Sequence, residues 1–241
     1  MLSILKKEIA QFFNSLSAYL SIGLFLTVTG LLLWVFPESS LLEYGYASLE
    51  GLFNLSPYLL LFLVPAVTMR SISEEKKEGT YEHLATAPIS RLDIILGKYL
   101  ACLFITLCAI APTLIYYFSI YQLGNPIGNV DTGAVIGSYI GLTLIACSFT
   151  AIGLFASAST SNQMIAFLLA VFLCFIAFSG FDSISKLTVL QPIENIVSSI
   201  GINEHYQAIS RGVLDTKDFI YFLSVSSLFL LLTNQKLASN H

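Results

Sequence analysis

Charge is scarce in this chain. Only 11% of its 241 residues are Asp, Glu, Lys or Arg, against roughly 25% in ordinary soluble domains, while 56% are hydrophobic. Its apolar runs are too long and too many for one buried core, so the solvent they suit is lipid. The net charge of −4 is thinly spread and offers no basic surface, which excludes nucleic acid as a partner. The four cysteines (Cys102, Cys108, Cys147 and Cys174) fall inside apolar runs with no polar ligands beside them. They read as small buried hydrophobes, because disulfides and metal sites need accessible, correctly spaced thiols.

Further absences narrow the function. No Asp, Glu, Lys, Arg or His lies near the middle of any apolar run. Placing one there costs about 2.5–3.5 kcal/mol on insertion scales, and chains that accept the cost use the group for ion coupling or proton relay. A proton- or sodium-coupled carrier is therefore disfavoured. Three histidines (His83, His205 and His241), with no H-E-x-x-H, argue against catalysis within the membrane. No G-x-x-x-x-G-K-[ST] loop is present to cradle phosphates: Gly97-Lys98 is followed by Tyr99 and lacks the upstream glycine. Any active transport must draw its energy from another polypeptide. The first apolar run, 16–36, is long for a signal peptide and no A-x-A-like site follows, so the N-terminal segment is expected in the mature fold. The two halves differ in loop length and composition, which gives no support to an inverted repeat.

What is present is a set of long apolar segments. The pattern predicts an all-α polytopic fold as one transmembrane domain over 1–241, with spans near 17–36, 52–69, 95–121, 134–158, 162–181 and 217–233. Residues 1–15 place Leu5, Ile9, Phe12 and Leu16 at helical spacing, which predicts an interfacial amphipathic helix. Lysine and arginine counts set the orientation. With the N-terminus inside, the cytosol receives Lys6, Lys7, Arg70, Lys76, Lys77, Arg91, Lys98 and Lys236, and the other side Lys186, Arg211 and Lys217. Both termini are then cytosolic. The 182–216 segment falls outside and reads as two short helices broken at Gly201, with Ile193, Ile196, Val197 and Ile200 on one apolar edge. A re-entrant lid and a folded cap are equally compatible with that pattern. Gly137 and Gly141 form a G-x-x-x-G expected to pack helices closely, within the subunit rather than across a dimer.

Nine of the 26 charged residues crowd into 70–93, between the second and third spans. Ser73 is placed to cap a helix whose first turn carries Glu74 and Glu75 at its positive end. Glu78 and Glu82 stand at i,i+4, Ile72 and Leu84 offer apolar anchors, and Pro88 closes the segment. A short acidic helix held between two spans suits transmission of rigid-body motion; a solvated linker is the plainer alternative.

The run from Pro65-Ala-Val-Thr-Met-Arg through Glu74-Glu-Lys-Lys-Glu-Gly-Thr-Tyr-Glu-His-Leu to Ala87-Pro-Ile-Ser and Gly97-Lys resembles the signature of type-2 ABC exporter permeases. Weaker similarity extends over nearly the whole chain, including Ser157-Ala-Ser-Thr-Ser-Asn-Gln as the turn between spans four and five. Within the family the pattern is most similar to the gliding-motility permease subunits of Bacteroidetes. The resemblance implies a non-enzymatic membrane-spanning subunit of the bacterial inner membrane, without a cofactor of its own. ATP and magnesium would sit on a separate ABC ATPase subunit, and a second permease, identical or homologous, would face this one. It also implies that residues 70–94 form a coupling helix docking on the ATPase through Glu74, Glu75, Lys76, Glu78, Gly79, Thr80, Glu82 and Leu84. Gly79 would permit close backbone approach there, and Glu75 and Glu78 would pair with partner arginines. Two other classes stay open: an ABC-like assembly supporting motility or envelope machinery without net transport, and a channel or carrier for an uncharged solute.

Overall fold

The computed structural model describes residues 1–36, 40–41, 47–81, 89–186, 193–213 and 215–238. Helix α1 (Leu2–Phe13) precedes α2 (Leu16–Trp34), α3 (Glu50–Thr68) and the short α4 (Ser73–Glu78). Helix α5 (Arg91–Ile110) continues through a 3-10 turn at Ala111–Thr113 into α6 (Leu114–Leu123), and α7 (Thr132–Ser159) follows. Helix α8 (Gln163–Phe175) runs through a π-helical turn at Ile176–Gly180 into α9 (Phe181–Ser185); α10 (Glu194–Ser198), α11 (Ile202–Ser210) and α12 (Thr216–Ala238) complete the chain. The described residues are helical without strands, and six helical segments are long and apolar enough to cross a membrane. These are α2, α3, α5–α6, α7, α8–α9 and α12, which match the six expected spans to within a few residues.

Helix α7 is the centre of the bundle. Its most apolar stretch is 72% buried inside the chain, against 22% for α2, α8–α9 and α12, which turn most of their surface outward. Small residues explain the difference. A Cβ added at Gly153 would lie 2.2 Å from Thr68 Oγ1 on α3, and one at Gly137 would lie 2.6 Å from the Ile209 carbonyl on α11. Between lipid-facing helices there is little hydrophobic drive to associate, so close backbone approach over small side chains supplies the packing. Gly141 meets the Tyr206 ring in the same way. The G-x-x-x-G is thus used inside the subunit, as expected.

Proline in a span leaves a carbonyl without its helical donor. Pro57 has no N–H for Phe53, and the Tyr206 hydroxyl donates to the Phe53 carbonyl at 2.8 Å from across the bundle. This one contact explains both how α3 tolerates Pro57 and why α11 is drawn in against α3 and α7. Tyr206→Phe is expected to destabilise the fold by about 1–3 kcal/mol, the cost of an unsatisfied buried acceptor. In a Pro57→Ala background, where residue 57 regains its own N–H, most of that loss should vanish. Thermal unfolding of the four proteins in detergent checks the cycle.

The segment between α9 and α12 forms two short helices with the break at Gly201, as the pattern predicted. Ile202, Tyr206 and Ile209 bury one face of α11, while Ile193, Ile196 and Ile200 stay exposed. His205 ties this segment to α12. Its Nδ1 lies 2.7 Å from Asp218 Oδ1 and its Nε2 2.9 Å from the Ser199 carbonyl, while the ring stacks on Tyr221 at 3.9 Å.

The first helix departs from expectation in its buried face. Ile4 is buried and Glu8 is turned inward, whereas Leu5, Ile9 and Phe12 are half-buried and Leu16 is exposed. Gly97 is the reason. A Cβ there would stand 3.0 Å from Ile4 Cγ2, so glycine lets α1 lie directly on the start of α5, next to Lys98.

Candidate functional site

The charged loop, α1, the start of α5, the α7–α8 connection and the end of α12 share one end of the bundle. Ile72, Tyr81, Ile95, Leu154, Ala158 and Leu237 form a small apolar cluster of their own there. Chain 69–72 turns off α3 and seats α4 directly against α7, so the loop is packed on the spans from its first residue.

Its hydrogen bonds come chiefly from α7. Ser157 Oγ accepts from the backbone N–H of Ile72 at 3.1 Å and of Ser73 at 3.0 Å, and donates to the Met69 carbonyl at 3.1 Å. Every hydrogen-bonding capacity of that hydroxyl is used. Ser73 is therefore not the cap that the sequence suggested. It is the first residue of α4, fully buried, and its own hydroxyl donates to the Met69 carbonyl, because the turn presses it into the seam with α7. The cap comes instead from Ser157, in what the sequence marked only as an inter-span turn. Ser157→Ala should cost about 0.5–2 kcal/mol, the worth of a helix cap, and should raise amide exchange at 71–76 more than in the spans.

Lys98 is the electrostatic centre of this end. It is fully buried, and its ammonium reaches Glu8 Oε1 at 2.8 Å, Glu75 Oε2 at 2.9 Å and the Ser71 carbonyl at 2.6 Å. The Glu75 Oε2 contact is an ion pair by distance; the aligned hydrogen bonds run to Glu8 and Ser71. Lys7 adds a contact to Glu75 Oε1 at 3.1 Å and another to Glu8 at 3.9 Å. Two lysines thus balance two carboxylates, and the cluster joins α1, α4 and α5 in one charge-neutral knot. A lone ammonium here would be prohibitive; paired and hydrogen-bonded, it is tolerated and specific. The sequence placed Lys98 in the charge count and in the Gly97-Lys part of the family signature, but not in a buried ion cluster. The neighbouring Gly97, which admits α1, was the available signal.

The expected docking residues now divide. Glu75 is held by Lys98 and Lys7, and the Lys76 ammonium donates to the Ala158 carbonyl. Burial, and then the nearby Lys236 charge, lower the pKa of Lys76 below that of an ordinary lysine. Both side chains are committed within the chain. Glu74 is half-buried, while Lys77, Glu78, Gly79 and Thr80 are exposed. Gly79 closes α4 at φ +71°, in the left-handed region, and a Cβ there would meet nothing within 4 Å. Backbone geometry therefore accounts for this glycine without any close neighbour. Helix α4 ends at Glu78, and the expected i,i+4 pairing of Glu78 with Glu82 falls partly outside the described residues. Glu82 and Leu84 lie outside the described residues. Tyr81, buried in the cluster with Ile72, is the apolar anchor that sequence reasoning missed.

Among the described residues the loop is thus bolted to the bundle at several points and presents a short charged tip at 77–80. No match was found among curated proteins. A family model described as "ABC-2 family transporter protein" matches residues 45–204, from before α3 into α11 and including the whole loop. This match covers well over half of the chain, and six apolar helices with a loop fixed between the second and third agree with it: the chain belongs to the ABC-2 family of transporter proteins, as a membrane-spanning permease.

Proposed function

We propose that this permease is the non-catalytic membrane subunit of an ATP-driven exporter complex, and that the tip Lys77–Thr80 is where a separate ATPase subunit docks. The ABC ATPase would hydrolyse ATP with magnesium on its own chain, and a second permease would complete the pathway. The observation that carries the reading is the division of the loop. Glu75, Lys76, Ile72 and Tyr81 bind it to α1, α5 and α7, while Lys77, Glu78, Gly79 and Thr80 face outward. A rigid base with an exposed tip can pass a push from a partner into the spans, as a solvated linker cannot. The docking set is accordingly narrower than the motif implied: Glu78 remains available to a partner's basic side chain, Glu75 does not.

The positive-inside bias places the loop and both termini in the cytosol, and the fold supports this by gathering α1, the loop and the end of α12 at one end. Bacterial inner-membrane residence and outward transport belong to the same proposal, supported by the resemblance to exporter permeases. A role in gliding motility is a narrower proposal, supported by overall sequence pattern; its test is loss of gliding in a strain lacking the chain.

A photo- or disulfide cross-linker at Thr80→Cys, in membranes co-expressing a candidate ABC ATPase subunit, tests the assignment. The expected result is one adduct with the ATPase. Absence of an adduct at position 80, with an equally labelled Lys77→Cys also silent, would overturn it.

A further inference from the structure

Two cavities border the seam between the first two spans. Near α1 lies one of about 380 Å³, bordered among others by Lys7, Gln11, Ser17, Arg70 and Glu74, and by Ala101, Cys102 and Ile105 of α5. Deeper, between α2, α3 and Phe167 of α8, lies an apolar groove of about 350 Å³ whose lining includes Leu24, Phe25, Val28, Phe62 and Leu63. The two spaces follow one another on the same faces. Ser17 lines the first and Ser21 the second, one turn apart on α2; Arg70 lines the first and Ala66 the second, one turn apart at the close of α3. Arg70 Nη1 donates to Ser17 Oγ at 2.9 Å, bridging α2 and α3 where polar lining gives way to apolar.

The charges of the cavity near α1 select an occupant. Glu8 and Glu75 border it but are matched by Lys98 and Lys7. That leaves Arg70, with guanidinium donors beyond the one given to Ser17, and the carboxylates of Glu74 and, at the rim, Glu78. None of these three has an ion-pair partner among the described residues. A cation and carboxylates in one cavity complement a ligand carrying both an anionic oxygen cluster and an ammonium. An anionic headgroup would meet Glu74 and Glu78 unfavourably, and a free phosphate would leave the apolar groove unused.

We propose that this pair of cavities binds one zwitterionic aminophospholipid of the phosphatidylethanolamine class, its phosphate at Arg70, its ammonium at Glu74 and Glu78, and an acyl chain along α2 and α3 in the apolar groove. The lipid seals the seam between the first two spans immediately beside the loop base. Only Glu78 is shared with the docking tip; Arg70, Glu74 and the apolar groove are not, so lipid retention by the permease without an ATPase is tested separately from docking.

The test is native mass spectrometry of the full chain released from nanodiscs containing equal phosphatidylethanolamine and phosphatidylglycerol. One phosphatidylethanolamine per chain is expected, favoured over phosphatidylglycerol by about tenfold, the scale of one charge-assisted contact. Arg70→Gln should lower retention of both lipids, whereas Glu74→Gln should remove the preference while keeping lipid bound. Leu24→Trp, an exposed groove residue with no part in the charges, should lower retention without altering the preference. Wild-type chain that retains no lipid, or retains both headgroups equally, overturns the proposal. So does Leu24→Cys that cross-links two copies of the chain in lipid-free dimers, which would make a second permease the occupant.

Discussion

Lys98→Met should be the most damaging single substitution in this chain outside the glycines of α7, destabilising it by about 3–5 kcal/mol, the range for breaking a buried ion pair from one side. The reason is what remains. Lys98 is fully buried between Glu8 and Glu75, so its removal leaves two inward-turned carboxylates facing each other with only Lys7 to balance them. Mutual repulsion then pushes α1 away from α5 and α4 away from both. The cost is predicted to be a property of the imbalance, not of losing an attractive contact. The triple variant Lys98→Met, Glu8→Gln, Glu75→Gln should therefore recover most of the loss, because a matched removal of buried charge is often nearly neutral. Glu8→Gln alone should be milder than Lys98→Met, since Glu75 still pairs the ammonium. Thermal unfolding of detergent-purified protein, read by monodisperse elution after heating, orders the three. If the triple variant proves worse than Lys98→Met, the charge-balance account is wrong.

The second large effect is expected on coupling and not on stability. Lys77 and Glu78 are exposed, and neither takes part in a hydrogen bond or ion pair among the described residues that anchor the loop. Exchanging them, as Lys77→Glu with Glu78→Lys, preserves the net charge of the tip and spares Ser157, Lys98 and the cluster around Ile72. Folding and insertion should be unchanged. Breaking a charge pair buried at an interface costs about 2–5 kcal/mol, so affinity for the ATPase should fall roughly thirtyfold or more. Reversal at Glu75, by contrast, would place a third cation beside Lys98 and Lys7. It would damage the fold, and any loss of coupling from it would say nothing about docking.

The spans were legible because each is a run long enough to cross a bilayer with few charges, a signal carried by neighbouring residues alone. The reading expected 134–158 where α7 runs Thr132–Ser159. The loop's position and composition were legible for the same reason, and its family signature came with them. Its internal division was not. Whether Glu75 faces a partner or the bundle depends on Lys7 and Glu8 from α1 and Lys98 from α5, which meet it only after α1 has packed over Gly97. The cap from Ser157 and the bond from Tyr206 to Phe53 are of the same kind: donors and acceptors supplied from distant helices. Pro57 announces a freed carbonyl in the sequence, but nothing local says which hydroxyl will answer it.

The most direct measurement of the account is the affinity of the permease in nanodiscs for the proposed ATPase subunit, wild type against the Lys77→Glu, Glu78→Lys exchange, with the unfolding temperature of each permease measured alongside. The account predicts binding weakened roughly thirtyfold or more at an unchanged unfolding temperature, with transport-coupled ATP hydrolysis lost in parallel. Equal affinity and equal coupling for the two proteins would contradict it.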